Sequence, residues 1–267
     1  ALHAGQPVVL KEKGVLSEIS ANINRTSEVL QSQNYQLKKK ETARANWIAG
    51  VSHDIRTPLS MVMGYAIQLE SNKQLPEDER KKAAAIVKQS QRMKNLINDL
   101  NLASKLEYNM QPTHIEQMNV ISAVRQVVVD FINLDIGGKY PIEWLTDSDL
   151  NTLIINADKD LIKRAVSNLI QNSINHNADG CTIYVAVKEC SRSCNIVVSD
   201  NGVGATDEQI DKLNNSPHYM VCDENTSEQR HGLGLLIVKQ IAAAHKGTVE
   251  IGHSEYGGLE VKICLPL

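Results

Sequence analysis

Four short strings hold residue types that could do chemistry. In Ser52-His53-Asp54-Ile55-Arg56-Thr57-Pro58-Leu59, a neutral imidazole can act as a nucleophile, and the adjoining carboxylate can take its proton or fix its tautomer. Thr57 follows His53 by four residues, one turn along on the same helix face. Pro58 cannot donate to the carbonyl of Asp54 and its ring crowds that carbonyl, so a helix here is expected to bend just after His53. Taken alone, a helical His is more often solvated or part of a core. Asn168, Asn172 and Asn175 fall at i, i+4 and i+7, opposite Leu161, Ala165, Val166 and Leu169. Asn is a poor helix former, so three on one face need a reason. Amide oxygens suit an octahedral Mg²⁺ that keeps waters and shares phosphate oxygens; a solvated polar face would show the same stripe.

In Asp200-Asn201-Gly202-Val203-Gly204, a carboxylate ends an apolar run, where it can accept from an exocyclic amine. The two glycines let backbone approach a flat ring, although turns use the same residues. His231-Gly232-Leu233-Gly234-Leu235 opens a helical pattern, and free N–H groups at a helix start bind phosphate. No Gly-Lys-Ser/Thr follows and no GxGxxG is present, which excludes a P-loop and a dinucleotide fold.

The elements that must position these strings divide the chain in two. Leu16, Ile19, Ile23, Thr26, Leu30 and Leu37 alternate steps of three and four, with Gln33 in the one polar gap. That is a coiled-coil seam, in a helix expected to start near Val15. After Lys38 to Lys40 a second apolar pattern runs from Trp47 to Leu69, and Ser71 to Pro76 breaks it. Pro76-Glu77-Asp78-Glu79 reads as a fresh helix start. The next helix carries Ala83, Ile86, Val87, Met93, Leu96, Ile97, Leu100 and Leu106. Two such helices make a hairpin whose stripe needs a partner: a second copy in a four-helix bundle, or the rest of the chain. Residues 107–119 read as a polar linker. Beyond it, helices are expected at 120–132, 158–177 and 235–245. Strands are expected at 142–145, 153–156, 182–188, 196–199, 247–252 and 259–265, the last two a hairpin around Tyr256-Gly257-Gly258. This mixture suggests one sheet against one layer of helices.

Composition agrees. The 267 residues carry 28 Lys and Arg against 31 Asp and Glu, a net charge of −3, so no basic footprint points to nucleic acid. Aromatics at 4% argue against a β-sandwich. No uncharged apolar run is long enough to cross a membrane. The opening at Ala1 in mid-pattern, without a signal peptide, suggests a piece of a longer chain. Cys181, Cys190, Cys194, Cys222 and Cys264 form no CxxC pair and have no clustered His, so buried reduced thiols are expected rather than a metal site.

Together the four strings, in this order, resemble the cytoplasmic part of a sensor histidine kinase of two-component signal transduction. Ser52 to Leu59 is similar to that family's H box, Asn168 to Asn177 to its N box, and Asp200 to Gly204 and Gly232 to Leu235 to its glycine boxes. Arg92 to Leu100 with Ser104 to Glu107 is similar to its second dimerisation helix, and residues 1–32, with Gly5, Pro7, Glu12, Gly14 and Leu16, to the second half of a HAMP relay. The resemblance implies a HAMP remnant and coiled coil over 1–32, then a dimerisation and histidine-phosphotransfer hairpin over 33–117. A catalytic domain over 118–267 would follow, an α/β two-layer sandwich with a mixed sheet (the GHKL ATPase fold), all of it the cytoplasmic fragment of a membrane protein.

It implies a transferase that binds ATP and Mg²⁺ and becomes a phosphoprotein at His53. Asp54 would be its general base, and Thr57 would place the water that dephosphorylates a partner response regulator. Asn172 would hold Mg²⁺, Asn168 would support the phosphates, and Asp200 would read the adenine amine. Gly202, Gly204, Gly232, Leu233 and Gly234 would shape the pocket and its lid. A homodimer and a cognate response regulator are the implied partners, with membrane contact only through preceding segments. Departures are Asn175, followed by His176 and Asn177, where the family usually has Lys or Arg; Asn175 and His176 are still expected at the nucleotide. Arg230 stands where the second glycine box often starts with Gly, and would supply the missing positive charge to the nucleotide instead. The lid lacks Phe, with Tyr219 and Met220 the nearest apolar residues. A chaperone- or topoisomerase-like ATPase of the same fold is a second reading, against which the H box on a helical hairpin argues; a degenerate kinase that relays signals as a dimer is the alternative that stays open.

Overall fold

Apolar residues at steps of three and four wind the first third of the chain into one helix, α1 (Ser17–Ser71). The computed structural model describes residues 17–108, 110, 112–134, 138–215 and 232–267; the expected helix start near Val15 lies outside them. Pro58 does not divide α1, which continues through the expected bend to Ser71. Around the missing Pro58 N–H, Thr57 Oγ1 donates to the His53 carbonyl at 3.5 Å and Ser60 Oγ to the Arg56 carbonyl at 2.8 Å. The broken pattern at 71–76 turns the chain into α2 (Glu77–Glu107), whose first turn holds Glu77, Asp78 and Glu79. The hairpin seam is narrow and small. Ala45, Ser52, Leu59 and Ala66, each seven residues apart, are buried on α1 where it faces α2, with Ala83 and Ser90 buried on α2. Seven-residue spacing keeps one stripe on the partner helix. Arg56 Nη2 donates across it to Asn98 Oδ1 at 3.0 Å.

The stretch expected to be linker ends as a strand, β1 (Glu116–Asn119), which pairs antiparallel with β3 (Ile154–Ala157). Four polar-edged residues show no periodicity by themselves; the partner strand supplies the order. Between them lie α3 (Val120–Leu134) and β2 (Ile142–Trp144), and then come α4 (Lys159–His176), β4 (Ile183–Cys190) and β5 (Ser193–Asp200). The chain continues as α5 (Asp207–Asn215), α6 (Gly232–Ala244), β6 (Thr248–His253) and β7 (Leu259–Pro266). The second sheet runs β2-β4-β5-β7-β6, with β2 parallel to β4 and the other pairs antiparallel. Ile183, Val185, Val187, Ile196, Val198 and Ile263 pack with Val124, Ile162, Val166, Ile170, Ile237 and Ile241 in one core. Three helices thus cover one face of a mixed sheet, the expected two-layer sandwich.

The hairpin leans on this domain through the end of α2. Ala103 and Leu106 belong to the same core, and Asp99 pairs with Arg164 of α4. Helix α5 was not anticipated from the sequence. Its N-terminus is a reciprocal cap between Thr206 and Gln209, and Asn214 clips it to the edge strand through both backbone groups of Ile251, at 2.9 and 3.1 Å. Of the cysteines, Cys181 and Cys194 are buried, and burial pushes their thiols up to about 11 and about 12. Cys190 is exposed instead, where β4 turns into β5; Cys222 lies outside the described residues. No helix among the described residues is long and apolar enough to cross a membrane.

Candidate active site

Buried Ser52 on the hairpin seam turns the next two residues outward. The His53 side chain is 75% exposed and that of Asp54 84%, with Nδ1 3.4 Å from Asp54 Oδ1. A proton on Nδ1 facing that carboxylate leaves the lone pair on Nε2, the arrangement a nucleophilic imidazole needs. Thr57 lies one turn on, its hydroxyl still engaged with the His53 carbonyl.

The other three strings converge elsewhere. Asp200 ends β5 and is 4% exposed. Its Oδ1 accepts from Gly202 N at 3.0 Å and Leu259 N at 3.4 Å, and its Oδ2 accepts from Ser173 Oγ at 2.7 Å. An ionised carboxylate offers about four lone-pair sites, so one acceptor position remains. Asn177, the C-cap of α4, donates to the Ser173 carbonyl and accepts from Val203 N, both at 2.8 Å. A Cβ on Gly202 would stand 1.8 Å from Asn177 Oδ1, and one on Gly258 would stand 2.1 Å from Asp200 Oδ1. Gly204 has a φ of +65° with the Gly257 carbonyl beyond it. Backbone therefore closes on Asp200 from two loops where side chains cannot fit. On α4, Asn168 Nδ2 donates to the Gly234 carbonyl at 3.4 Å, and Asn172 Oδ1 would lie 3.1 Å from a Cβ there. The amide stripe and the glycine pair at the start of α6 are thus neighbours.

Not every expected residue joins them. Asn175 is exposed and its amide oxygen accepts from Gln171 Nε2 at 3.1 Å. His176 keeps an exposed edge, yet burial of its ring holds it below the ordinary imidazole value, with the Asp200 charge opposing. Gly232 opens α6 and Leu233 is half-buried behind it. Arg230, Tyr219 and Met220 lie outside the described residues. Ser173, between the amides of the stripe, and Gly258 and Leu259, outside the four strings, are further site residues. Gly258 could be read only as a turn, because the pairing of β5 with β7 is what brings it to Asp200.

A family model described as the His Kinase A (phospho-acceptor) domain matches residues 43–109, which include His53. A second, the histidine kinase-, DNA gyrase B-, and HSP90-like ATPase, matches residues 157–267, which include the whole Asp200 cradle. The chain belongs to the sensor histidine kinases. Sensor histidine kinase YvrG of Bacillus subtilis (strain 168) is 29% identical over 256 residues, covering 92% of this chain and 44% of YvrG. This chain thus spans less than half of that kinase. The crystal structure of full-length ShkA in complex with AMPPNP superposes with a TM-score of 0.67 at 22% identity, over 83% of this chain and 45% of ShkA. Histidine kinase ThkA in complex with the response regulator TrrA superposes with a TM-score of 0.59 at 22% identity, over 87% of this chain and 66% of that one.

Gly202→Ala drives a methyl group into the Asn177 amide, which must release Val203 N or the Ser173 carbonyl. Forced overpacking of this kind costs about 1–3 kcal/mol. Thermal unfolding is expected to shift downward accordingly, and an unchanged midpoint would disprove the close approach.

Proposed function

We propose that the chain uses ATP and Mg²⁺ to phosphorylate His53, passes the phosphoryl group to an aspartate of a response regulator, and dephosphorylates that regulator. The observation that carries this reading is one chain holding both an exposed His53–Asp54 pair and a buried carboxylate with an acceptor site left open among glycines. Asp200 accepts from the adenine amine, while Gly202, Gly204 and Gly258 leave room for the ring. The N–H groups of Gly232, Leu233 and Gly234 at the start of α6 suit phosphate oxygens, with Asn168 behind them. The Asn172 amide oxygen fits a hard cation and would hold Mg²⁺, which neutralises charge on the phosphates. Asp54 takes the Nδ1 proton as Nε2 forms its bond to the γ-phosphorus. The bond from that phosphorus to the bridging oxygen breaks, and ADP leaves.

Incubation with γ-labelled ATP and Mg²⁺ tests the reading. Label on the chain that is lost in acid and kept in base is expected; acid-stable label or none sinks it.

Ile55, Met61, Leu69, Ile86, Met93, Leu96 and Leu100 stay exposed on the hairpin, as do Ile19, Ile23, Leu30 and Leu37 on the coiled-coil seam. A second copy packed on these faces buries both, so the working unit is a homodimer with a coiled-coil stem. Sedimentation at micromolar concentration checks this, and a monomer there removes the bundle.

Thr57→Ala is expected to spare phosphorylation of His53 and to slow dephosphorylation of the regulator. The hydroxyl lies one turn from His53 and can turn from the helix carbonyl to a water. Positioning groups contribute roughly 10²–10⁴-fold. A parallel fall in both rates would instead mean that Thr57 only supports the helix around Pro58.

A further inference from the structure

Helix α6, which carries the glycine pair, meets the amide-bearing α4 at both of its own ends, and only one of those contacts belongs to the nucleotide strings. Helix α4 begins where α6 ends, so the pair is antiparallel. At the far end His245 is buried, donates from Nδ1 to the Ile241 carbonyl at 2.7 Å and accepts at Nε2 from the backbone N–H of Asp158 at 2.9 Å. Asp158 is itself fixed: its carboxylate caps α4 by accepting from Asp160 N and Leu161 N, each at 3.1 Å, and also accepts from His114 N at 2.9 Å. The other end is the long hydrogen bond from Asn168 to the Gly234 carbonyl, 3.4 Å. From Asp158 to Asn168 is about 15 Å of helix, and from Gly234 to His245 about 16 Å, at 1.5 Å per residue. The two spans match, and the shorter, buried bonds lie at the His245 end.

We infer that His245 is a positioning residue that sets the sliding register of α6 on α4, and so holds Gly232 to Gly234 against Asn168 and Asn172 for nucleotide phosphates. This rests on the reading of the cradle as an ATP site. His245 touches no nucleotide; it acts through the helix it terminates. The chain turns sharply after it: Lys246 follows in a left-handed conformation at φ +59°, and a Cβ on Gly247 would stand 2.2 Å from the Cys264 carbonyl oxygen. Without the acceptor at Nε2, the Asp158 N–H is left buried and unpaired, and beside the apolar packing of the two helices only the long Asn168 bond is left to fix their polar register.

The test is affinity for a non-hydrolysable ATP analogue with Mg²⁺, by calorimetry well below the unfolding midpoint of each variant. His245→Leu removes the acceptor, and His245→Asn is too short to reach Asp158. His245→Gln extends an amide oxygen towards the same N–H. The Leu and Asn variants are expected to bind about tenfold more weakly, the equivalent of about 1.4 kcal/mol, and the Gln variant to recover to within about threefold of the parent. Folded Leu or Asn variants with the parent's affinity, however lowered their midpoints, would overturn the register role. A Gln variant as weak as Leu would overturn it too. A parent chain that fails to bind the analogue would instead overturn the ATP reading, and this inference with it.

Discussion

A His53→Gln protein incubated with ATP and Mg²⁺ is expected to carry no acid-labile phosphoryl group, a loss of at least about 10³-fold, as removal of a nucleophile gives elsewhere. The side chain is exposed and Gln is a good helix former, so the fold is expected to stay intact, with stability within about 0.5 kcal/mol of the parent. The competing candidates are informative. His245 has both ring nitrogens engaged with backbone. His253 is the serious rival, since its Nε2 stands 2.7 Å from Asp207 Oδ1 on an exposed edge. It pairs with a carboxylate more closely than His53 does, but it sits on the ATPase sandwich, outside the segment matched by the phospho-acceptor model. Residual acid-labile label in His53→Gln that disappears on adding His253→Gln would transfer the phosphoacceptor role to β6.

Asp200→Asn is expected to weaken ATP binding about 100-fold while the domain still folds. The two backbone N–H donors from Gly202 and Leu259 keep the amide oxygen on their side, and the new NH₂ turns to Ser173 Oγ, which can accept. The fold thus retains its partners. What is lost is the remaining acceptor position, where an NH₂ now meets the adenine amine donor to donor. A buried unsatisfied pair costs about 1–3 kcal/mol, and losing a charged acceptor lies at the upper end. Calorimetry with ATP and Mg²⁺ measures it. Parent-like affinity would remove Asp200 from the nucleotide site, and a lowered unfolding midpoint with unchanged affinity would make its role purely structural.

Much of the scaffold was legible because its signals are local. The steps of three and four in the first third mark one apolar helix face, the acids after Pro76 mark a helix start, and the apolar runs of β4 and β5 mark strands that enter the core. Their spans came within a few residues of the structure. A Thr206-x-x-Gln209 capping box, a recognised helix-start signal, also lay in the sequence, and reading it would have found α5. The four strings likewise announced themselves as residue types at fixed spacing.

The sequence by itself thus determined the helical hairpin, the α/β order and the residues that could do chemistry. The tertiary structure alone decided what stands beside Asp200. Leu259 and Gly258 lie nearly sixty positions away and arrive through the register of β5 on β7; Ser173 and Asn177 arrive because α4 ends beside that strand. It alone decided that Cys190 faces outward and that His245 meets Asp158. Periodicity records which face of an element is buried, but not against which distant partner. That choice is made by strand order and helix packing, whose energies belong to pairs of residues far apart in the chain.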